Sequence, residues 1–314
     1  MDNDRKFYLK MSLIIVVAFF VWFFGSSGKK ENLPEDFEKI PLKDKPVALE
    51  NFVPPTFVVF KDSENVLPKR NWSIPPLELK ASAAIAIKLD GSRIYYNKNM
   101  NERRPIASLT KLMTAIIVLE NFNLDNIIKV SKSDVRRIGS SGDLRPDELL
   151  TARSLLNIML IGSSNDAALA LARQKPDFIS LMNKKSKELG ITNTRFVNSD
   201  GIDEDGAYSS AFDMAKIFSH LINNYPQILE VLKTKNMVVY SSDDKFEHRL
   251  KNTNELLSML AEVKAGKTGY TDKAGGSLAL LFNDIITVIL DSHDRFGESE
   301  KLIQWLKEAY IWSR

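Results

Sequence analysis

Apolar positions along this chain change their spacing several times, and each change marks a boundary. The first regime, Met11 to Phe24, reads MSLIIVVAFFVWFF, with Arg5, Lys6 and Lys10 ahead of it and Gly25, Ser26, Ser27 and Gly28 behind. A stretch that is apolar all round has no polar face to turn to water, so it suits lipid better than a half-exposed core helix. It falls short of the about 20 residues that span a bilayer, but Phe7 to Gly28 lengthens it at both edges. The preceding cations place the N-terminus inside. The run ends in Trp22, Phe23 and Phe24 rather than in small residues that suit signal cleavage. Residues 1–28 are therefore expected to be a membrane anchor or a signal segment, since Gly25 to Gly28 also offer a cleavage site; the favoured reading is an uncleaved single-pass anchor in the cell membrane, with the remainder extracytoplasmic.

Over residues 29–80 the pattern dissolves. Eight of the twelve prolines fall there, among mixed charges, which describes an extended linker. One part, Phe52 to Phe60 (FVPPTFVVF), is too apolar for a free tether and is expected to pack on the domain that follows.

From residue 81 onward the pattern is that of a globular domain, 81–314. The run AIAIKL, then Asp90-Gly91, then RIYY predicts two strands around a two-residue turn. From Pro105 to about Thr234 the spacing is helical: Leu112, Ala115, Ile116 and Leu119 share a face, and Ser210 with Asp213 marks a helix start. After Gly266 strands return as SLALLF, Asn283-Asp284 and IITVIL, before a closing helix around Glu298 to Tyr310. Strands, helices, then strands define an α+β fold: an antiparallel sheet of N- and C-terminal strands, flanked by helices, with a large helical insertion.

Composition removes several function classes. With 43 basic and 40 acidic side chains the charge is only +3, which argues against a nucleic-acid surface. There is no cysteine, so disulfides, thiolate metal sites and a cysteine nucleophile are excluded. His220, His248 and His293 are scattered, without a metal-binding spacing, and no cofactor or metal is expected.

Three short segments carry candidate chemistry. Ser108-Leu109-Thr110-Lys111 lies where an extended segment with Pro105 gives way to a helix, so the hydroxyl and the amine share a face. A serine hydroxyl needs such a neighbouring base, and a helix N-terminus favours developing negative charge. The bare pattern is cheap, recurring at Ser26, Ser27 and Ser242. Ser163-Ser164-Asn165 forms a turn between two apolar helices, where serines are commonly caps. Lys267-Thr268-Gly269 precedes the returning strands; a lysine and a hydroxyl beside a glycine that allows close approach suit a substrate carboxylate.

Taken together and in this order, S-x-x-K, S-x-N and K-T-G resemble the signature of penicillin-binding proteins and serine β-lactamases. RPIASLTKLMTA, LIGSSNDAA, FVNSDGIDEDGAYSSAFDMAKI and KAGKTGYTDKAGGSLA are most similar to the low-molecular-weight D-alanyl-D-alanine carboxypeptidases, over about residues 81 to 312. The resemblance implies Ser108 as acyl-ester nucleophile, Lys111 as proton acceptor, Ser163 as relay to the leaving amine and Asn165 as a hold on the substrate backbone. It also implies Lys267, Thr268 and Gly269 as the carboxylate clamp, and the backbone amides of Ser108 and Tyr270 as the oxyanion hole. The expected partners are peptidoglycan stem peptides as substrate and β-lactams as covalent inhibitors.

Such a mechanism demands an uncharged Lys111, which at an ordinary pKa near 10.4 costs roughly 4.6 kcal/mol at pH 7. Burial and the like charge of Lys267 are expected to meet that demand. Relatives often carry histidine where Ala207 stands and a bulkier residue where Gly276 stands. They also often have a β-rich domain and an amphipathic tail beyond the point corresponding to Tyr310, a role the N-terminal anchor is expected to take. The alternatives are an endopeptidase that cuts cross-links with the same motifs, a class A β-lactamase, for which no E-x-x-L-N is found, and an inactive wall-binding module, which would be missing a motif residue.

Overall fold

The structure, a computed structural model, describes residues 68–136 and 143–312. Its centre is a five-stranded antiparallel sheet in the order β3-β2-β10-β9-β8. The strands are β2 (Ala83–Lys88), β3 (Ile94–Lys98), β8 (Val263–Thr271), β9 (Gly275–Phe282) and β10 (Ile285–Ser292). The three inner strands are apolar at nearly every position because both of their faces are covered. Period-two alternation then assigns each residue to a side. Ala83, Ile85, Ile87, Ala279, Leu281, Ile286, Val288 and Leu290 join the core under the helical insertion. Ala84, Ala86, Leu278, Leu280, Phe282, Ile285 and Ile289 join a second core.

That second core is closed by α7 (Leu256–Met259) and α8 (Arg295–Ala309). The insertion holds α1 (Thr110–Asn121), α2 (Ala152–Ile161), α3 (Asn165–Ala172), α4 (Phe178–Glu188), α5 (Ala211–Asn224) and α6 (Pro226–Lys233). Helix α1 lies in the middle and is buried at every position from Thr110 to Val118, so its apolar surface is wider than the single stripe expected. Ser210 caps α5 through its side chain, which accepts the Asp213 N–H at 3.1 Å, as the sequence signal predicts.

The sequence reading is corrected in three places. The first hairpin does not close through a two-residue turn: Lys88 N–H reaches Arg93 O at 2.8 Å, so the loop also takes in Leu89 and Ser92, with Gly91 at φ 77°. The helical span is interrupted by a small hairpin of β4 (Ile127–Lys129) and β5 (Leu149–Thr151). Another hairpin, β6 (Asn236–Tyr240) with β7 (Glu247–Lys251), follows the helices. By contrast, β9 and β10 meet through Asn283-Asp284 in the expected register, Phe282 opposite Ile285.

Part of the proline-rich stretch packs on the domain. Strand β1 (Lys69–Arg70) pairs with β11 (Tyr310–Ile311), Trp305 donates from Nε1 to Pro75 O at 2.9 Å, and Leu79 is buried. The anchor segment and the Phe52 to Phe60 patch lie outside the described residues. Among the described residues no helix is long and apolar enough to cross a membrane.

Candidate functional site

Ser108 sits in a 3-10 turn, Ala107–Leu109, that runs into α1 at Thr110, just ahead of the α-helix rather than in its first turn. Ala107 has φ 50°, a left-handed conformation that a non-glycine residue adopts only where its surroundings enforce it. Here two glycines press on the turn. A Cβ on Gly201, itself at φ 82°, would lie 2.0 Å from Ala107 O, and one on Gly269 would lie 2.9 Å from Ile106 O and 3.1 Å from Ser108 N. Absence of side chains at these positions lets β8 and the 198–201 loop clamp the turn.

Lys111 follows Ser108 by one helical turn and is completely buried. Its Nζ lies 2.8 Å from Ser108 Oγ, 2.7 Å from Asn165 Oδ1 and 2.6 Å from Asp200 O. Two of these partners are acceptors only, and the third is a hydroxyl that is able to donate. An uncharged amine has two N–H donors and one lone pair, so in its neutral form Lys111 can satisfy both acceptors and still take the Ser108 proton. Burial pulls the lysine pKa down to about 7, against the opposing pull of Asp200.

The expected effect of Lys267 falls elsewhere. Lys267 is itself buried, and its pKa lies well below the ordinary lysine range, first through burial and then through the charges of Lys111 and Arg295. For Lys111 itself the lowering comes from burial, without a contribution from Lys267.

Helix α2 ends at Ile161 with Gly162 as its cap, and the chain turns back through Ser163 at φ 61°. The adjacent serines divide the work. Ser164 is the N-cap of α3, accepting Ala167 N–H at 3.1 Å. Ser163 turns its Oγ to Lys267 Nζ, which donates to it at 2.7 Å and to Thr268 O at 3.0 Å. Asn165, the first residue of α3, directs Oδ1 at Lys111.

Strand β8 brings the third segment and is paired, among the described residues, on one side only. Thr268 bonds Thr253 through the hydroxyls, Gly269 lies against the Ser108 turn, and the Tyr270 side chain is 64% exposed. The three motifs thus converge, with Ser108, Lys111 and Asn165 in one hydrogen-bonded set and Ser163, Lys267 and Thr268 in another beside it.

Three contributors escape a motif reading. Asp200 acts through its backbone carbonyl; the Asn-Ser-Asp-Gly turn that presents it, with Gly201 N–H donated to Asn198 Oδ1 at 2.8 Å, is a recognisable turn signal. Thr253 and Arg295 have no local signal. Arg295 acts on Lys267 electrostatically and packs where a side chain at position 276 would point, since a Cβ on Gly276 would lie 3.3 Å from Arg295 Cβ. The small residue at 276 therefore makes room for a guanidinium.

A fold of this architecture with these three motifs at one sheet edge defines the penicillin-recognising serine hydrolase class. The chain belongs to the peptidase S11, D-alanyl-D-alanine carboxypeptidase family, whose model matches residues 70–293. It is 37% identical over 204 residues to D-alanyl-D-alanine carboxypeptidase DacF of Bacillus subtilis, covering 62% of this chain and 52% of that one. The chain thus spans about half the length of that relative. It is 30% identical over 248 residues to the D-alanyl-D-alanine endopeptidase of Escherichia coli, covering 74% of this chain and 79% of that one. Among solved structures it is similar to penicillin-binding protein D2 of Listeria monocytogenes in its cefotaxime-bound form, with a TM-score of 0.65 and 30% identity over 74% of this chain and 99% of that one.

Proposed function

We propose that this protein is a serine-type D-Ala-D-Ala carboxypeptidase that removes the terminal D-alanine from peptidoglycan stem peptides and is acylated by β-lactams. The observation that carries the reading is the buried Lys111 amine, held by Asn165 Oδ1 and Asp200 O with its Nζ 2.8 Å from Ser108 Oγ.

In the proposed reaction Ser108 Oγ attacks the carbonyl carbon of the penultimate D-alanine while its proton passes to Lys111. The oxyanion forms between the Ser108 and Tyr270 amides, and each such donor is typically worth about 3 kcal/mol. Collapse breaks the peptide bond, and the leaving amine takes a proton through Ser163, whose hydroxyl is already bonded to Lys267. Water then cleaves the ester, freeing Ser108. A substrate carboxylate arriving beside Lys267 and Thr268 brings a negative charge that favours the protonated form of Lys267. Asn165 holds Lys111 through Oδ1, and in this reading it also steadies the peptide backbone.

Replacing Ser108 with alanine tests this directly. The variant is expected to lose covalent fluorescent-penicillin labelling and D-alanine release from a stem pentapeptide, while circular dichroism stays unchanged. Persistent labelling would mean that another residue is the nucleophile.

Cleavage of cross-links is the second reading, supported by the similarity to the Escherichia coli endopeptidase and by β8, which among the described residues pairs with a strand on one side only. Release of monomers from a cross-linked dimer at a rate matching D-alanine release would favour it. The pattern of Met11 to Phe24 supports membrane attachment through a single N-terminal span with the catalytic domain outside the cytoplasm. Membrane fractionation with protease accessibility of the intact chain checks that placement.

A further inference from the structure

Immediately behind the Ser163 turn lies a cleft of about 670 Å³, bounded on one side by Asp143 to Arg145 and on the other by strand β7 and Phe246, with Gly162 at its inner end. It differs from the catalytic groove in its chemistry. Arg145, Arg249 and Lys251 line it, opposed by Asp143 and Glu247, and Glu247 is already paired with Arg249. Arg145 lies over the Phe246 ring at 4.6 Å. Stacking fixes the plane of a guanidinium while leaving the N–H donors at its rim free, and among the described residues the Arg145 side chain makes no hydrogen bond or ion pair. Lys251 projects from β7, exposed, also without an ion pair among the described residues.

The walls are held in place by a buried pair that the proposed chemistry does not use. Glu148, 1% exposed, accepts the Arg145 backbone N–H through Oε2 at 3.0 Å and bonds His248 Nε2 through Oε1. Because His248 lies on β7 and Arg145 on the facing segment, one carboxylate fixes the separation of the two sides. A site whose backbone walls are fixed by a buried pair needs less reordering when it binds.

We infer that this cleft is a subsite for a carboxylate carried by the acyl-donor peptide upstream of its D-Ala-D-Ala end, with Arg145 and Lys251 as the recognising cations. The inference rests on the function proposed above. Gly162, the neighbour of Ser163, lines the cleft, so a peptide with its terminal carboxylate at Lys267 and its backbone at Asn165 would run toward it as it passes Ser163. A planar, stacked guanidinium next to a flexible ammonium is the donor set that suits a carboxylate.

Steady-state kinetics on three peptides tests it: L-Ala-γ-D-Glu-L-Lys-D-Ala-D-Ala with a free α-carboxylate on its second residue, the same peptide with that carboxylate amidated, and a doubly acetylated L-Lys-D-Ala-D-Ala. Arg145→Ala and Lys251→Glu are each expected to raise KM for the free-acid peptide about tenfold. They should leave kcat, both peptides that lack the second-residue carboxylate and the rate of penicillin acylation unchanged, and amidation should weaken wild-type binding to the same degree. Equal effects on all three peptides, or no effect on the acidic one, would overturn the subsite while the proposed activity stands. Failure of the wild type to hydrolyse any of the peptides would overturn both. Lys251 is exposed, so its variant does not depend on the core, and unchanged penicillin acylation reports that Arg145→Ala is folded.

Discussion

The ionisation of one amine governs the rate at the residue scale. With its pKa drawn down to about 7 by burial, Lys111 is mostly charged below that pH and mostly neutral above it. Since only the neutral amine accepts the Ser108 proton, the acylation rate is expected to rise about tenfold per pH unit below 7 and to level off above it. Benzylpenicillin labelling rates between pH 5.5 and 9 would show this limb, and Lys111→Arg, whose side chain stays charged, should have no measurable labelling across the range. Neighbouring serines offer a second contrast. Ser164→Ala removes the α3 cap and should cost about 1 kcal/mol in thermal unfolding, with labelling retained. Ser163→Ala is expected to slow peptide cleavage strongly, with a stability loss of about 1 kcal/mol because buried Lys267 loses an acceptor. Much of this was legible from side-chain identity, because hydroxyl, amine and amide must appear as such in the sequence. The Asp200 contribution was not, since any residue type offers a backbone carbonyl, and only the fold decides which one faces Lys111. Arg295 was hidden for another reason: it begins α8, remote in sequence from every motif, and reaches Lys267 only through the sheet.

Legibility among the elements followed burial. Strands β2, β9 and β10 are covered on both faces and stand out as apolar runs, and the turn chemistry at Asn283-Asp284 fixes a register. Strands β4 and β5 have three residues each, too few for a period to show. Strand β6, NMVVY, is exposed at three of its five positions, so little of its sequence is constrained by a core. The glycines around the Ser108 turn make the strongest prediction at this scale. Gly201→Ala places a methyl 2.0 Å from a backbone oxygen at φ 82°, and a cost of about 3 kcal/mol is expected. Thermal unfolding with a parallel penicillin-labelling assay should show lower stability and slower acylation together, because the same displacement moves Ala107 and Ser108. An unchanged labelling rate would mean the turn keeps its shape without the clamp.

For the molecule as a whole, the sheet separates two cores, and the functional side chains gather at the end of the larger one, where α1, α3 and β8 meet. The smaller core is sealed by α8 and by residues 68–80, in which Arg70 lies over the rings of Trp305 and Tyr310 at 5.1 and 5.8 Å. Trp305→Ala should therefore lower stability by about 2 kcal/mol without altering penicillin acylation, as melting and labelling measured side by side would show. The sequence reading assigned residues 68–80 to a linker because prolines dominate there, and composition alone does not reveal what an extended chain lies against. The one-sided pairing of β8 has a cost of its own. An outer strand that, among the described residues, has no strand partner on one side invites a second copy of the protein to zip alongside it, so concentrated solutions should self-associate through the very rim that admits a peptide. Acylation by a bulky penicillin, by obstructing that rim, should keep the protein dispersed.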